Sequence, residues 1–364
     1  MYGSPLGIGT DIGGSVRIPA SLSGIASFKP TPTRQTIQGM DLPRKKAFDG
    51  LVIKNACGAM SRSVDDLITL TKCWWCDRAY NTDPYIPRLP FNDAVYENKQ
   101  TLKIGYYLSD GVFESSPGHK RVVLETVQHL KSLGHTLVEF KPPAVTYPLV
   151  VAWGGLVNSD GGKDQLSGQD GETPNYMYTA AQALPFGLPA AAGKYVRMAL
   201  RYSGNKRVAD FGDAAQERST VEYIQYIANV LEWKQQYLAE WKAQQLDALL
   251  TPSTGLPAWP HGSASVLFSA VSYTMLWNML EYPAGVIPVS TVRENECNYS
   301  DDYNDLITVA AKKALSNSTG LPLGVQVISL PHQDEIVLKL MKQVESKVNF
   351  YSNTKPAYTM KNIR

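Results

Sequence analysis

Apolar positions along the chain follow two rhythms, short continuous blocks and a three-to-four-residue spacing, and their order predicts the elements. Leu102 to Tyr107 forms an apolar block that reads as a strand. Val123, Val127 and Leu130 then keep helical spacing until Gly134, and Thr136 to Phe140 forms a second strand. Strand, helix, strand at those lengths predicts a crossover unit in a sheet flanked by helices. Upstream, Ser63 and Asp66 mark a helix start continued by Leu67, Leu70 and Trp74. Downstream, Ser219 and Glu222 form a capping box ahead of Ile224, Ile227, Leu231, Leu238 and Trp241, which predicts a long helix. Ala248 to Pro252 reads as a short buried strand, and Val266 to Leu280 is apolar almost all round, as in a buried helix. Ala284 to Val289 and Leu323 to Ile328 are further strands, and Ile336, Leu340 and Val344 place a last helix before a polar tail. The pattern is that of an α/β fold without internal repeats.

Three stretches break the rhythm. Gln35 to Leu51, with Arg44-Lys45-Lys46, reads as a surface loop, and Asn81 to Phe91, with Pro84, Pro87 and Pro90, as an extended one. Leu156 to Glu172 is expected to be a mobile Gly/Gln/Asp-rich loop. Ala183 to Phe211 differs in character: Leu184, Phe186, Leu188, Tyr195, Met198 and Tyr202 mix with Lys194, Arg197, Arg201, Lys206 and Arg207. Pro185 and Pro189 should divide it into short helices. Apolar bodies between basic residues suit a helix lying in a membrane interface or a core helix with solvated charges, and composition does not separate the two.

Composition narrows the setting. The 364 residues are 44% hydrophobic, enough to bury a large core as one big domain or two. A formal charge of +2 gives no electrostatic footprint for nucleic acid. Cys57, Cys73, Cys76 and Cys297 are too few for a disulfide scaffold. Cys73-Trp74-Trp75-Cys76 falls in a predicted helix with no second pair, which argues against zinc or redox use. No run of eighteen apolar residues predicts a membrane-crossing helix and no signal peptide opens the chain, so a reducing, cytosol-facing setting is expected.

The richest chemistry opens the chain. Gly3, Gly7, Gly9, Gly13 and Gly14 crowd ahead of Ser15, and Arg17 and Pro19 constrain the backbone after it. Glycine tolerates positive φ and close backbone approach. A serine nucleophile needs such a turn, with successive N–H groups aimed beside its hydroxyl. A phosphate loop is the alternative, but the stretch lacks the Lys-Ser/Thr of a P-loop and does not match the dinucleotide fingerprint.

Gly9-Thr10-Asp11-Ile12-Gly13-Gly14-Ser15-Val16-Arg17-Ile18-Pro19-Ala20 resembles, without a gap, the core of the amidase signature, whose serine hydrolases use a Ser–Ser–Lys triad. The resemblance implies an α/β amidase-signature fold with a mixed, twisted central sheet flanked by helices. It implies Ser15 as the acyl-accepting nucleophile and the N–H groups of Ile12, Gly13, Gly14 and Ser15 as the oxyanion hole. Asp11 and Arg17 would orient the loop, and no metal or cofactor is called for. Val271 to Asn278, Tyr282 to Val289, Cys76 to Phe91, Gly105-Tyr106-Tyr107 and Ser318 to Pro322 narrow the likeness to the fatty-acid amide hydrolase branch. That branch cleaves lipid amides such as anandamide and oleamide at membranes. It implies a fatty-acid amide substrate, peripheral membrane attachment on the cytoplasmic side of endomembranes, and a homodimer. The implied organisation is an amidase domain over 1–350, a membrane-facing cap at 183–213 within it, and a tail at 351–364. Phe211 and Met275 would line the acyl channel. Ile307 stands where the branch carries a larger aromatic, and Asn158 where it carries phenylalanine.

In the family the catalytic lysine and middle serine lie upstream of this stretch, and the residues before Ser15 form neither; Ser4 reads as structural. The chain is therefore expected to be the carboxy-terminal part of an amidase, feebly active at most by itself. Lys29, in Phe28-Lys29-Pro30-Thr31, sits at a position the family uses structurally, and His119, His129, His135, His261 and His332 show no Ser-His-Asp order with elbow spacing. Two other classes stay open: a non-catalytic lipid-binding remnant, and a broad amidase on small amides.

Overall fold

The strand–helix–strand unit is present, and it forms one end of a larger sheet. In the computed structural model the described residues are 4–40, 52–161, 163 and 190–353. In chain order their main elements begin with β1 (Leu6–Asp11), α1 (Arg17–Ser23), β2 (Ala26–Lys29), β3 (Ala56–Ser61), α2 (Val64–Trp74), α3 (Asp77–Thr82) and α4 (Asp93–Glu97). The middle of the chain supplies β4 (Lys103–Tyr106), α5 (Pro117–Ser132), β5 (Thr136–Glu139), α6 (Thr146–Val157), α7 (Ala190–Tyr202), α8 (Lys206–Ala214) and α9 (Thr220–Ala243). The last part holds β6 (Ala248–Pro252), α10 (Ser272–Met279), β7 (Ala284–Thr291), α11 (Leu306–Leu315), β8 (Pro322–Ser329) and α12 (Asp334–Val348).

Eight strands form one sheet in the order β1-β3-β2-β7-β8-β6-β4-β5. β4 runs parallel to β5 and β6, and the other neighbours are antiparallel, so the sheet is mixed. Alternate residues face opposite layers. In β6, Leu249 joins the cluster containing α6, α9 and α10, whereas Ala248 and Leu250 join that of α2, α5 and α12. The candidate site lies on the first of these two faces.

Several local readings change. The glycine-rich opening contains an edge strand, β1, not only a turn: Gly7 and Gly9 pair with Met60 and Gly58 of β3, and a Cβ at Gly9 would press on Val16 at 3.3 Å. The start of the expected loop from Leu156 is helical through Val157, and residues 162 and 164–172 of it lie outside the described residues. α6 keeps Gly155 because Tyr226 Oη and Ala214 O approach within 2.4 and 2.8 Å of where its Cβ would stand. Ser63 caps α2 as expected by accepting from Asp65 N, but Asp66 takes a bond from Ser61 Oγ at 2.8 Å instead of closing the box. At Ser219 both halves of the capping box form. Most of the basic loop (41–51), residues 183–189 with Leu184, Phe186 and Leu188, and the tail from 354 lie outside the described residues.

Candidate active site

Asp11 ends β1, and Ile12 to Val16 carry the chain round to α1. Asp11 and Arg17 are fully buried and meet twice, Arg17 Nε to Oδ2 and Nη2 to Oδ1, each at 3.0 Å. Asp11 also accepts from Gly14 N at 2.7 Å, Val16 N at 3.3 Å and Asn278 Nδ2 at 2.9 Å. Burial raises the Asp11 pKa, but the Arg17 guanidinium beside it outweighs burial and brings it down to about 2. Arg17 reaches further, to Gln326 Oε1 on β8 at 2.8 Å, Thr274 O at 3.0 Å and Asn278 Oδ1 at 2.5 Å. The loop is thus clamped to α10 and β8.

Each carbonyl from Asp11 to Gly14 has a donor. Asn278 Nδ2 donates to Asp11 O at 3.0 Å, Trp153 Nε1 to Ile12 O at 2.7 Å, Thr274 Oγ1 to Gly13 O at 2.8 Å, and Ile18 N to Gly14 O at 2.7 Å. The N–H groups of Ile12, Gly13 and Ser15 have no partner among the described residues. Gly14 differs from expectation. Its N–H folds back to the Asp11 carboxylate, which needs donors once buried, and so is not available to an oxyanion. Gly14 has φ +123°, and a Cβ there would stand 2.2 Å from Thr274 Oγ1, so only glycine fits. Ser15 is exposed, and its Oγ is unpartnered among the described residues.

Lys29 is fully buried at the end of β2, donating Nζ to Tyr282 O at 2.7 Å and Pro30 O at 3.3 Å. Burial, then repulsion from Arg17, lowers its pKa to about 7. It makes no hydrogen bond to Ser15. Three of the histidines are held in structural contacts: His119 with Ser116, His129 and His135 with Gln343.

Phe211 on α8 and Met275 on α10 are buried in one apolar cluster with Ile307. Phe211 meets Phe268 edge-on at 5.6 Å, and Phe268 meets Trp153 at 5.7 Å, so an aromatic row runs from α8 to the Ile12–Gly13 backbone. Asn158 ends α6, donating Nδ2 to Gly154 O at 2.9 Å. In α7 and α8, Arg197 and Arg201 pair with Asp213, Arg201 and Lys206 with Asp210, and buried Arg207 with Asp301 and Asp305. The expected basic face is therefore largely neutralised. Tyr195, Met198 and Tyr202 stay exposed on α7.

Sequence reasoning missed Trp153, Gln326 and the anchoring roles of Thr274 and Asn278. A signal existed for the last two: polar residues one turn apart in a helix otherwise apolar all round must find buried partners. Nothing in the sequence marks Trp153.

A family model described as Amidase matches residues 1–338. The chain belongs to the amidase family. The chain is 34% identical over 350 residues to a protein named fatty-acid amide hydrolase 1 from Sus scrofa, covering 94% of this chain and 59% of the relative. It is 32% identical over 357 residues to fatty acid amide hydrolase 1 of Caenorhabditis elegans, covering 95% and 60%. It thus spans about three-fifths of the length of these relatives. Among solved structures, a fatty acid amide hydrolase superposes with TM-score 0.72 at 22% identity, over 94% of this chain and 56% of that one. A 6-aminohexanoate cyclic dimer hydrolase does so with TM-score 0.65 at 17% identity, over 95% and 65%. Both likenesses place the mixed sheet of this chain in the amidase fold.

Proposed function

We propose that the protein hydrolyses fatty-acid amides to fatty acid and amine, with Ser15 as nucleophile and the N–H groups of Ile12, Gly13 and Ser15 as oxyanion donors. The observation that carries this reading is an exposed serine hydroxyl, unpartnered among the described residues, on a turn whose Asp11 to Gly14 carbonyls are held while three neighbouring N–H groups have no partner among those residues. Similarity to two proteins named as fatty-acid amide hydrolases supports the substrate class. Ser15 Oγ adds to the amide carbonyl and gives up its proton to a base. The carbonyl oxygen takes the charge beside the free N–H groups. Collapse breaks the C–N bond, the amine leaves with a proton from the relay, and water cleaves the acyl-enzyme. Asp11 and Arg17 hold the turn, and Phe211 and Met275 line the acyl site.

A serine hydroxyl is a weak nucleophile without an adjacent base, and the described residues place none on Ser15 Oγ. In this reading the lysine and second serine that the family carries ahead of the stretch complete the relay, within a domain over 1–350 capped by 183–213. The exposed face of α7 rests on a lipid surface; no helix among the described residues is long and apolar enough to cross a membrane. The missing contact to a base also favours a second reading, a lipid-binding protein without turnover.

Fluorophosphonate labelling and oleamide hydrolysis separate the two. The 364-residue chain should label slowly, since removing triad members leaves roughly 10³–10⁴-fold catalysis over water. Joining it to the family's lysine and serine segment should speed both reactions, and Ser15→Ala should abolish both. No labelling in either form would sink Ser15 as nucleophile. Full turnover by the chain alone would place a base within it, with Lys29→Met the first variant to make.

A further inference from the structure

We infer that Trp153 is a positioning residue of the oxyanion turn: its indole N–H fixes the Ile12–Gly13 peptide so that the Gly13 N–H faces the reacting carbonyl. The inference rests on Ser15 being the nucleophile. In a trans peptide the C=O and N–H point to opposite sides of the chain. Whatever holds the oxygen of one residue therefore sets the direction of the next residue's hydrogen. Four peptides make the turn, and they are not held equally. The Gly13–Gly14 peptide is gripped at both ends, by Thr274 Oγ1 and by the Asp11 carboxylate, so its N–H is spent. The Gly14–Ser15 peptide is held by Ile18 N within the start of α1. The Asp11–Ile12 peptide is held by Asn278, itself locked to Asp11 and Arg17.

The Ile12–Gly13 peptide has one anchor among the described residues, Trp153 Nε1 at 2.7 Å. The anchors also differ in quality. Thr274 has a single hydroxyl proton for two acceptors 2.8 Å away, Gly13 O and Val271 O. Trp153 has one proton and one acceptor. Its ring closes on Gly13 so tightly that a Cβ there would come within 2.6 Å of Cζ2, which makes glycine obligatory without a positive φ. Phe268 also packs against the ring, with centroids 5.7 Å apart. Trp153 is thus held against Gly13 and Phe268, and the Ile12–Gly13 peptide depends on it.

Trp153→Phe keeps a ring and removes the donor. In the most active form of the protein, kcat should fall about 10-fold to 10²-fold with KM little changed, since a small misplacement of a donor is felt in the transition state. The loss should be equal for a short-chain and a long-chain amide. Binding of a trifluoromethyl ketone, which forms an oxyanion on the serine, should weaken in proportion. A loss confined to the long chain would show the ring acting as a wall and would overturn the anchor. An unchanged kcat would do the same. Should the unsubstituted protein neither label nor turn over, the nucleophile assignment fails. Exchange of the Trp153 indole proton, followed in ¹⁵N-tryptophan-labelled protein, then decides separately. Protection is expected, and exchange at the rate of a solvated indole would overturn the anchor without reference to activity.

Discussion

Two buried ionisable residues near the turn make stability rise with pH, in different pH ranges. Asp11 has a folded pKa below its unfolded one, so the unfolded chain binds the extra proton at acid pH. Its contribution, roughly 2 kcal/mol by linkage, is complete above about pH 4 and is lost as pH falls towards 2. Asp11→Ala leaves Arg17 buried without its carboxylate and should cost about 3–5 kcal/mol at pH 7. In urea unfolding that difference should shrink by pH 2.5; a constant difference would contradict the assignment. Lys29 acts in the same sense at higher pH. Its folded pKa, about 7, lies below the ordinary lysine value, so between these pH values the unfolded chain holds more protons and stability rises with pH, by at most about 1.4 kcal/mol per unit. Lys29→Met should flatten the rise between pH 7.5 and 9.5, and a slope unaltered by that change would show that Lys29 is not its source.

At the scale of elements, legibility followed local periodicity. The β4–α5–β5 unit, the capped α9 and the buried α10 could be read because spacing and caps are local. β1 and α6 could not. Both are built with glycines, which normally weaken strands and helices, and both are kept by close approach of another element: β3 and Val16 in one case, Tyr226 and Ala214 in the other. Information of that kind sits on the partner. The same holds for α7 and α8, whose arginines and Lys206 look basic in sequence but are matched by Asp210, Asp213, Asp301 and Asp305 in space. If this region meets lipid, it does so through Tyr195, Met198 and Tyr202. Burying each such side chain is worth about 1.5–3 kcal/mol, so the triple change to serine should weaken vesicle co-sedimentation more than tenfold. Neutral and anionic vesicles should behave alike. A strong preference for anionic vesicles would instead point to Lys194, which is exposed and unpaired among the described residues, or to residues 183–189.

Across the whole molecule, the nucleophile and its clamp were unequally visible. Ser15, Asp11 and Arg17 are neighbours in sequence, so one short motif announces them. Trp153, Thr274, Asn278 and Gln326 reach the same turn from α6, α10 and β8, and no local pattern could group them. That arrangement also fixes an order of events during synthesis. Arg17 closes on Gln326 across 309 positions, and β2 has no neighbour on its other side until β7 is made. The turn therefore emerges before the elements that brace it and is among the last parts to be finished. Loop-closure entropy over such separations makes this late step slow. Until β7 and β8 have been made, the glycine-rich turn is an unbraced peptide with a buried-type arginine and aspartate in water. A nascent chain would need protection at this turn until those strands have emerged.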